Sequence, residues 1–513
     1  MASAFAVGSK PPNIVFILSD DLGFNDVGFH GSPQIPTPHI DELARTGVIL
    51  NNYHVQPVCS PTRATIMSGR HSIHHGIYMP FTQGTSFRLN LSYTLIPQYM
   101  RMLGYSTHMV GKWHLGQNVL GALPTGRGFD SYFGYWSGAE DYFNHSTRGA
   151  YDLAEGTRTA FEYNGTYSTF LWTEKAVKVI EEADPDKPFF MYLAYQNVHW
   201  PLEAPKEYLD RFSSSTGGDQ RRQAVCAMAA IMDESIGNIT AALKERRLYE
   251  ETLLVFSADN GGPTNGNEGS WSSNYPMRGG KNTLWEGGTR AVAAVRGPGI
   301  DSGMVGKTTY SKVHATDWLP TLLRVASGRP DWLHKHIPDG EPPFLLGDGI
   351  DVWETISSGK DVRTELIYEC HRGSESLLHG NALVVGDWKI LQVGEKNPTM
   401  EQGWVPPPGE DPDAVAYQLP CNRTQQPGRV LTGECFKAFC LFNISADPCE
   451  YHDLAKDFPD VVARLRTRLG AYQSTAVKIV DEAECGCKPV ITSGAWRPCD
   501  SPSLSGADVL RWV

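Results

Sequence analysis

Short apolar stretches of strand length alternate with amphipathic stretches of helix length over most of this 513-residue chain. The strand-like stretches are β-branched or aromatic runs with few charges, which is typical of strands buried on both faces of a sheet, and they read "NIVFIL", "STHMVG", "PFFMYLAYQ" and "TLLVFSA". The helix-like stretches among and after them include "TPHIDELARTG", "TFLWTEKAVKVIEEA", the segment 223–246 and "TDWLPTLLRVAS". This alternation predicts an α/β sandwich built on a large, mostly parallel sheet.

A change of pattern after about residue 365 predicts a second, smaller domain. There "NALVVGDWKILQV" has the alternation of an antiparallel hairpin. A loop rich in Pro, Gly and Cys follows, and "DFPDVVARLRTRLGAY" has the spacing of one amphipathic helix. We therefore expect a large domain over residues 1–365 and a C-terminal α+β domain over residues 366–513, with a short antiparallel sheet, one helix and disulfides.

Charge and hydropathy argue against two classes of partner. The chain has a formal net charge of −12 and no basic stripe or arginine-rich run, so a nucleic-acid partner has no electrostatic support. No apolar run has the length needed to cross a bilayer, so we expect no membrane span. The N-terminal "MASAFAVGSKPPN" has no charged stretch followed by a long apolar core, so no signal peptide is expected, as in a cytosolic protein or a processed or truncated form.

The cysteines are concentrated towards the C-terminus. Seven of the ten lie at or beyond position 421, and Cys370 completes an even set of eight with Cys421, Cys435, Cys440, Cys449, Cys485, Cys487 and Cys499. Their spacing is irregular and "CGC" lacks the two-residue separation usual for zinc ligands, so disulfides are favoured over a metal site. The connectivity is not deducible, although Cys440 and Cys449, which flank "LFNISADP", are candidate partners. Cys226 lies in a helical pattern and is expected to be a buried free thiol.

Asn-x-Ser/Thr sequons offer six sites for glycosylation, at Asn90, Asn144, Asn164, Asn238, Asn422 and Asn443. Chance alone gives several sequons in a chain of this length, so their number is only an indication. Disulfides form in oxidising compartments, and the two features together favour the secretory pathway.

Acidic and amide side chains follow two of the strand-like stretches. Asp20 and Asp21 come directly after "NIVFILS", and Asp259 and Asn260 come after "TLLVFSA". In α/β sheets the ligand crevice lies beyond the carboxyl ends of the strands, so both pairs are expected at one edge. Such oxygens suit a hard cation, with calcium as the first candidate and magnesium as the competitor. Turn formation after a strand is the alternative role, and for either pair alone it stays open.

Basic and imidazole side chains follow other elements. Lys112 and His114 stand two residues apart at the end of "STHMVG", and extended geometry would point both to one face. His199 follows "PFFMYLAYQ", and Lys281 lies in a glycine-flanked loop. Taken singly, each is more often a surface charge or a structural histidine than a catalytic group.

One cysteine stands far from all the others, in "PVCSPTRATIMSGR", where Cys59 begins "CSPTR" ahead of a helical pattern. This stretch resembles the Cys-x-Pro-x-Arg signature of sulfatases. The stretches "LSDDLGFNDVGFHG", "GYSTHMVGKWHLG", "RGFDSYFGYWSGAEDYF", "SADNGG" and "RGGKNTLWEGGTR" resemble the arylsulfatase B (N-acetylgalactosamine-4-sulfatase) branch of that family. A set this large is far more specific than any one motif. The resemblance runs from about Pro12 through most of the large domain.

The resemblance implies an alkaline-phosphatase-like fold and a modified nucleophile. In sulfatases this cysteine is oxidised after synthesis to formylglycine by a formylglycine-generating enzyme, which recognises the proline and the arginine of the signature. Cys59 is therefore expected to carry an aldehyde, hydrated to a gem-diol whose second hydroxyl gives a route out of the covalent intermediate. The helix that follows would aim its N-terminal amides at the bound anion.

The resemblance also implies a role for each site residue. The calcium ligands would be Asp20, Asp21, Asp259, Asn260 and the hydrated side chain at Cys59. Arg63 would hold the formylglycine hydroxyl, and Lys112, Lys281 and His199 would contact the sulfate. Lys281 and His199 are the candidates for protonating the departing alcohol or phenol. His114 would orient the second hydroxyl and take its proton as sulfate is expelled. Charge stabilisation should make the largest contribution to S–O cleavage.

The substrate that the resemblance implies is an aryl sulfate or a sulfated sugar, in a lysosomal or secreted enzyme. The stretch "GAEDYF" matches family residues near the pocket mouth. Trp200 stands where arylsulfatase B has an acidic residue, so the amino-sugar specificity is not carried over. His379 is a weaker pocket candidate, for which a place in the wall or on the surface is favoured. The oligomeric state is not indicated.

Two other functions are open to a chain with this fold. One is a phosphatase or phosphonate hydrolase, but such relatives mostly use a Ser or Thr nucleophile and two zinc ions. The other is a non-catalytic glycoprotein that kept the scaffold for binding. A degenerate relative of that kind should have lost the cysteine or a metal ligand, and in this sequence none is missing.

Overall fold

The computed structural model describes residues 10–336, 348–369, 380–394, 404–411, 419, 421 and 434–501. Cys370, His379 and Asn422 lie outside the described residues. The expectations placed on these three residues therefore stay predictions.

The strands of the described residues are, in chain order, β1 (Asn13–Ser19), β2 (Val48–Leu50), β3 (Tyr53–His54), β4 (Ser106–Gly111), β5 (Ser131–Tyr135), β6 (Ser146–Thr147), β7 (Ala150–Tyr151), β8 (Leu153–Glu155), β9 (Arg158–Thr159), β10 (Phe189–Ala194), β11 (Thr252–Ala258), β12 (Ala293–Arg296), β13 (Lys307–Thr309), β14 (Val313–His314), β15 (Glu365–Ile367), β16 (Gly380–Val385), β17 (Trp388–Val393), β18 (Cys440–Asn443), β19 (Val490–Thr492) and β20 (Ala495–Arg497). The α-helices are α1 (Pro38–Arg45), α2 (Cys59–Ser68), α3 (Ser72–His75), α4 (Ile96–Met102), α5 (Ser168–Glu181), α6 (Lys206–Arg211), α7 (Gln220–Glu245), α8 (Glu286–Thr289), α9 (Trp318–Ser327), α10 (Trp332–Lys335), α11 (Trp353–Ser358), α12 (Glu434–Lys437) and α13 (Pro459–Gln473).

A ten-stranded sheet forms the centre of the molecule, in the order β13-β2-β12-β11-β1-β10-β4-β5-β8-β9. Its middle strands β11, β1, β10, β4 and β5 run parallel, and antiparallel strands flank them. Every residue of β1, β10 and β11 is buried. Because successive side chains in a strand point to opposite faces, both faces of the sheet are covered. The predicted α/β sandwich with a mostly parallel mixed sheet is confirmed.

The start of α1 differs in detail from its sequence signals. The sequence predicts that Thr37 caps this helix, that Pro38 takes its first position and that Gly47 ends it. The helix does begin at Pro38, but the Thr37 hydroxyl bonds the Asp41 carboxylate instead of a first-turn amide. Asp233 of α7 accepts hydrogen bonds from the first-turn amides at 2.8–3.0 Å. A distant carboxylate has therefore replaced the local cap.

A second, four-stranded antiparallel sheet lies C-terminal to the first, in the order β15-β16-β17-β18. It contains the predicted hairpin as β16 and β17. The strands β19 and β20 belong to a third sheet, in which β20 pairs with β7 of the N-terminal part. The C-terminal residues thus contact the N-terminal part of the chain through this third sheet. The division at residues 365 and 366 stays a prediction.

A buried group of opposite charges ties the second sheet to the first part of the chain. Lys389 of β17 lies with its Nζ 2.9 Å from a carboxylate oxygen of Glu286 and 2.9 Å from one of Glu450, and all three side chains are fully buried. The Glu286 N–H also donates to Glu450 at 2.7 Å. Burial raises the pKa of Glu450 to about 7. Burial also disfavours ionised Glu286, but Lys389, His54 and Arg290 together outweigh burial and lower the pKa of Glu286 to about 2.

The disulfides of the described residues join Cys421 to Cys449, Cys435 to Cys440, and Cys487 to Cys499. Disulfides at the late cysteines were expected, but the candidate pairing of Cys440 with Cys449 is wrong. Cys485 forms no disulfide with any cysteine of the described residues. Cys226 is a buried free thiol, as predicted.

The sequon asparagines of the described residues lie at the surface or close to it. Asn90, Asn144, Asn164 and Asn238 are exposed, and Asn443 is half-buried. Their glycosylation stays a prediction. Within the described residues, no helix combines the length and the apolarity that crossing a bilayer requires.

Candidate active site

Two neighbouring strands bring the acidic pairs together. Asp20 and Asp21 follow β1, and Asp259 and Asn260 follow β11, which pairs with β1 in parallel. The Asn260 amide donates to Asp21 at 2.7 Å, and the Asp21 N–H donates to Asp259 at 3.2 Å. Each of the four is at most 1% exposed. Both pairs therefore meet at one edge of the sheet, as the parallel arrangement predicts.

Cys59 is the first residue of α2 and faces this edge. Its Sγ lies 3.6 Å from an Asp20 carboxylate oxygen. The helix follows the extended residue Val58, ends at Gly69 in a left-handed conformation (φ 66°) and is buried along its whole length. Burial raises the pKa of the Cys59 thiol well above its usual value; Lys112 and Lys281 oppose this rise. A thiol held in its neutral form is a poor nucleophile.

Three cations surround the carboxylates. Arg63, one helical turn after Cys59, donates through Nε and Nη2 to the same Asp259 oxygen at 3.1 and 2.7 Å. Lys112 Nζ lies 2.5 Å from Asp20. Lys281 Nζ lies 2.9 Å from Asp21. These buried cations balance the three carboxylates of the edge in number. Without this pairing the cost of burying each charge would be several kcal/mol.

Lys281 has a further partner that sequence reasoning did not identify. Glu268 lies with a carboxylate oxygen 2.6 Å from Lys281 Nζ and is about a third exposed. Burial disfavours the charged form of Lys281, but the acidic side chains, Asp21 first, outweigh burial and raise its pKa well above the usual value. Glu268 stands in a loop of Gly, Asn and Ser with no sequence signal that links it to Lys281.

His114 lies beside this cluster with an unusual backbone. Its φ is 57°, so the extended geometry expected to place Lys112 and His114 on one face does not hold at His114. Its Nε2 lies 3.0 Å from the Phe81 carbonyl oxygen, and its Nδ1 is buried with no hydrogen-bond partner among the described residues. Burial, with Lys112 next, lowers the pKa of His114 well below its usual value, so the ring is neutral.

His199 completes the cluster from a different loop. Its Nδ1 lies 2.6 Å from the Trp200 carbonyl oxygen, and its Nε2 lies 3.8 Å from Asp21. Burial lowers the pKa of His199 well below its usual value, and Lys281 and Lys112 add to the effect. Tyr142, from the stretch expected near the pocket mouth, donates its hydroxyl to the His199 carbonyl at 3.1 Å.

Another residue of that stretch, Glu140, is buried among polar partners. Glu140 is 1% exposed and lies 3.1 Å from His145 Nδ1. Its other neighbours are the Ser168 hydroxyl and the Gln196 amide, which donates to the Glu140 backbone carbonyl. Glu140 therefore joins three separate segments of the chain through His145, Ser168 and Gln196.

The donor atoms at the strand edge suit a hard cation. Four side chains each offer one ligand atom, and these atoms all lie within 4.8 Å of one another: Asp20, Asp21, Cys59 and His199. The side-chain oxygen of Asn260 is buried and has no partner among the described residues. Asp259 is bonded to Arg63 and to the Asp21 N–H, yet it borders the same space. A set dominated by carboxylate and amide oxygens fits calcium better than a soft metal.

Comparisons with known proteins agree with this geometry. A family model described as "Sulfatase" matches residues 12–328. Arylsulfatase J of Mus musculus is 38% identical over 96% of this chain and 81% of its own length. Arylsulfatase A of Homo sapiens is 30% identical over 68% of this chain and 70% of its own length. N-acetylgalactosamine-6-sulfatase of Mus musculus is 27% identical over 91% of this chain and 87% of its own length.

The solved structure of Ps i-CgsB in complex with k-i-k-neocarrahexaose superimposes with a TM-score of 0.72 at 25% identity, covering 92% of this chain and 94% of that one. A structure of PsFucS1 sulfatase from Pseudoalteromonas sp. gives a TM-score of 0.68 at 23% identity, over 92% of each chain. At that identity the second match supports the fold alone.

Proposed function

Since the chain belongs to the sulfatase family and is a sulfuric ester hydrolase, we propose that it cleaves the S–O bond of its substrate with Cys59 converted to formylglycine. A calcium ion, held by Asp20, Asp21, Asp259, Asn260 and the converted side chain, completes the site. The observation that carries the proposal is the position of Cys59: it opens a buried helix 3.6 Å from Asp20. The arylsulfatase B subtype expected from the sequence stays a prediction.

The hydrated aldehyde supplies an oxygen nucleophile where the buried, neutral thiol would be a poor one, and calcium supplies positive charge for that oxygen and for the sulfate group. The basic side chains of the protein supply the remaining positive charge. Lys112 and Lys281 bind the sulfate oxygens, since both ammonium groups already lie at the carboxylate edge. Arg63 holds Asp259 in place and borders the side chain at Cys59.

The charge balance of the site supports these roles for the calcium ion and the basic side chains. Three buried carboxylates face three buried cations at the edge. Sulfate as product carries two negative charges, so a divalent cation together with sulfate leaves the balance of the site unchanged. Fixed charges in a site shielded from water stabilise a developing charge without the cost of reorganising solvent.

Two neutral imidazoles act in different steps of the proposed reaction. His199 faces the site with Nε2, because its Nδ1–H donates to the Trp200 carbonyl; Nε2 of the neutral ring therefore carries a lone pair, and the ammonium of Lys281 supplies the proton to the departing alcohol or phenol, with His199 able to pass on a proton only after Nε2 has itself been protonated. His114 takes a proton in the step that expels sulfate. Both groups stand on backbone segments fixed by hydrogen bonds, so neither has to be ordered during the reaction.

The alcohol part of the substrate is an aryl group or a sugar. The Trp200 side chain is 56% exposed and follows His199 directly, so it offers a flat apolar surface beside the candidate proton donor. Disulfides and exposed sequons favour a secretory-pathway protein, lysosomal or secreted, in which a formylglycine-generating enzyme acts on Cys59 during synthesis.

Sulfate release by two variants tests the proposal. Cys59→Ala should abolish the release of sulfate from aryl sulfates and from chondroitin or dermatan oligosaccharides, while the thermal midpoint changes little. Cys226→Ala removes another buried free thiol, which lies in α7 and is not among the proposed site residues, and should keep the wild-type rate. Undiminished activity of Cys59→Ala would remove Cys59 from the site. A comparison of catalytic efficiency across these substrates would identify the substrate class.

A further inference from the structure

We propose that Ser60 is a positioning residue that holds the imidazole of His114 in a single tautomer, with Nδ1 free to accept a proton. The inference rests on the proposed function, because it concerns the step in which His114 takes that proton. Ser60 follows Cys59 in α2 and is completely buried. Its place in the "CSPTR" stretch is variable by definition in the signature, so the sequence assigns it no role.

The Ser60 hydroxyl joins the two backbone segments that meet at His114. It donates a hydrogen bond to the His114 carbonyl at 3.0 Å and accepts one from the Phe81 N–H at 3.1 Å. The Phe81 carbonyl in turn lies 3.0 Å from Nε2 of His114. These contacts close a ring: one hydroxyl fixes the distance between the two segments, and this distance sets where the Phe81 carbonyl meets the imidazole.

The same ring of hydrogen bonds determines which imidazole nitrogen of His114 carries the proton. A carbonyl oxygen accepts hydrogen bonds and cannot donate them, so Nε2 of the neutral imidazole must be the protonated nitrogen. The lone pair then lies on Nδ1, which is buried and has no hydrogen-bond partner among the described residues. Nδ1 is therefore the atom of His114 that is able to accept a proton from the substrate side.

This ring of hydrogen bonds around His114 has little freedom to rearrange. The His114 N–H donates to the Trp136 carbonyl at 3.1 Å, and the backbone of His114 is left-handed. The imidazole also packs on Gly138, where a Cβ would come within 2.7 Å of Nε2. Without the Ser60 hydroxyl, the His114 carbonyl and the Phe81 N–H both lose a buried partner, and the Phe81 carbonyl is free to leave Nε2.

The test compares Ser60→Ala with Ser68→Ala. Ser68 lies on the same helix with the same burial, and its hydroxyl also donates to a backbone carbonyl, that of Ala64 at 2.6 Å. Formylglycine content is measured by mass spectrometry in every variant, because Ser60 lies inside the modification signature. Rates are then expressed per formylglycine.

The first measurement does not depend on activity. Histidine labelled with ¹⁵N reports the tautomer through its ring-nitrogen shifts, and the His114 signal is assigned by its loss in His114→Gln. The expected result is a Nε2-protonated ring in the wild type and in Ser68→Ala, and a mixture of tautomers in Ser60→Ala. An unchanged single tautomer in Ser60→Ala would overturn the inference.

The second measurement separates kcat from kcat/KM. Because His114 acts after the alcohol has left, Ser60→Ala should lower kcat by about tenfold and lower KM with it, so that kcat/KM is retained. A general disturbance of the site would instead lower kcat/KM. A lower kcat/KM in Ser60→Ala would contradict a positioning role, and so would a paired fall of kcat and KM in Ser68→Ala. If the wild type released no sulfate, the proposed function would fail, whereas the NMR result would still decide the tautomer.

Discussion

Replacing Lys389 by methionine removes the ammonium group that lies between Glu286 and Glu450. The substitution keeps most of the side-chain volume, so the main change is the loss of one charge among three fully buried groups. The consequence reaches the candidate site, because Glu286 begins α8 only five residues after Lys281. The triad therefore also anchors the loop that carries Lys281, the lysine proposed to bind the sulfate.

The size of the effect follows from the geometry. Removing one partner of a buried pair costs about 3–5 kcal/mol, because it leaves an uncompensated charge. In Lys389→Met two carboxylates remain: Glu286 keeps the buried Arg290 at 3.7 Å, and Glu450 keeps the hydrogen bond from the Glu286 N–H at 2.7 Å. We expect a loss within that range at pH 8, where both carboxylates of the unfolded chain are ionised.

The loss should depend on pH in a defined direction. In the wild type burial already raises the pKa of Glu450 to about 7, and without the ammonium group both folded-state pKa values rise. The folded variant then binds more protons than the unfolded chain, so its stability falls as pH rises above about 4.3, the ordinary pKa of glutamate. The loss at pH 5 should therefore be smaller than the loss at pH 8.

Urea unfolding followed by tryptophan fluorescence at both pH values gives the free energies of unfolding. Lys206→Met is the matched control, because Lys206 pairs with Asp210 at 2.7 Å on the surface, where its side chain is 83% exposed. That control should change stability by no more than about 0.5 kcal/mol. A loss below about 1 kcal/mol in Lys389→Met at pH 8, or equal losses at both pH values, would refute the argument.

Three further predictions concern the site itself. Asp259→Ala should weaken calcium retention, because it removes one of the expected oxygen ligands; unchanged calcium content after gel filtration would refute that assignment. Lys281→Met should raise the inhibition constant of inorganic sulfate by about tenfold, the loss of one charge-assisted hydrogen bond, and an unchanged constant would show that Lys281 does not bind the anion. Trp200→Ala should raise KM for a sulfated disaccharide while inhibition by inorganic sulfate stays the same, since under the proposal the indole would contact only the alcohol part; a parallel change in both would contradict this.

The large sheet and the meeting of the acidic pairs were predictable because they follow from local chemistry. An uninterrupted apolar run such as that of β1 is typical of a strand that is buried on both faces in a parallel sheet covered by helices. Parallel neighbours end at the same edge, so Asp20 and Asp259 had to approach each other once both runs were recognised as strands. The cysteine in the sulfatase signature then belonged at that edge as well.

The features that sequence reasoning missed depend on contacts between distant segments. The left-handed backbone of His114 and the contact of its ring with Phe81 come from the packing of separate loops. Proximity in sequence favoured Cys449 as the partner of Cys440, yet Cys435 lies closer still and forms that disulfide. In α1 the carboxylate of Asp233, far along the chain, took the place of a local cap.

The central claim is that the nucleophile is a converted Cys59, and mass spectrometry of its peptide from active protein tests this most directly. The account predicts formylglycine at position 59, in an amount that scales with the specific activity of each preparation. Fully active enzyme that carries an unmodified thiol there would contradict it.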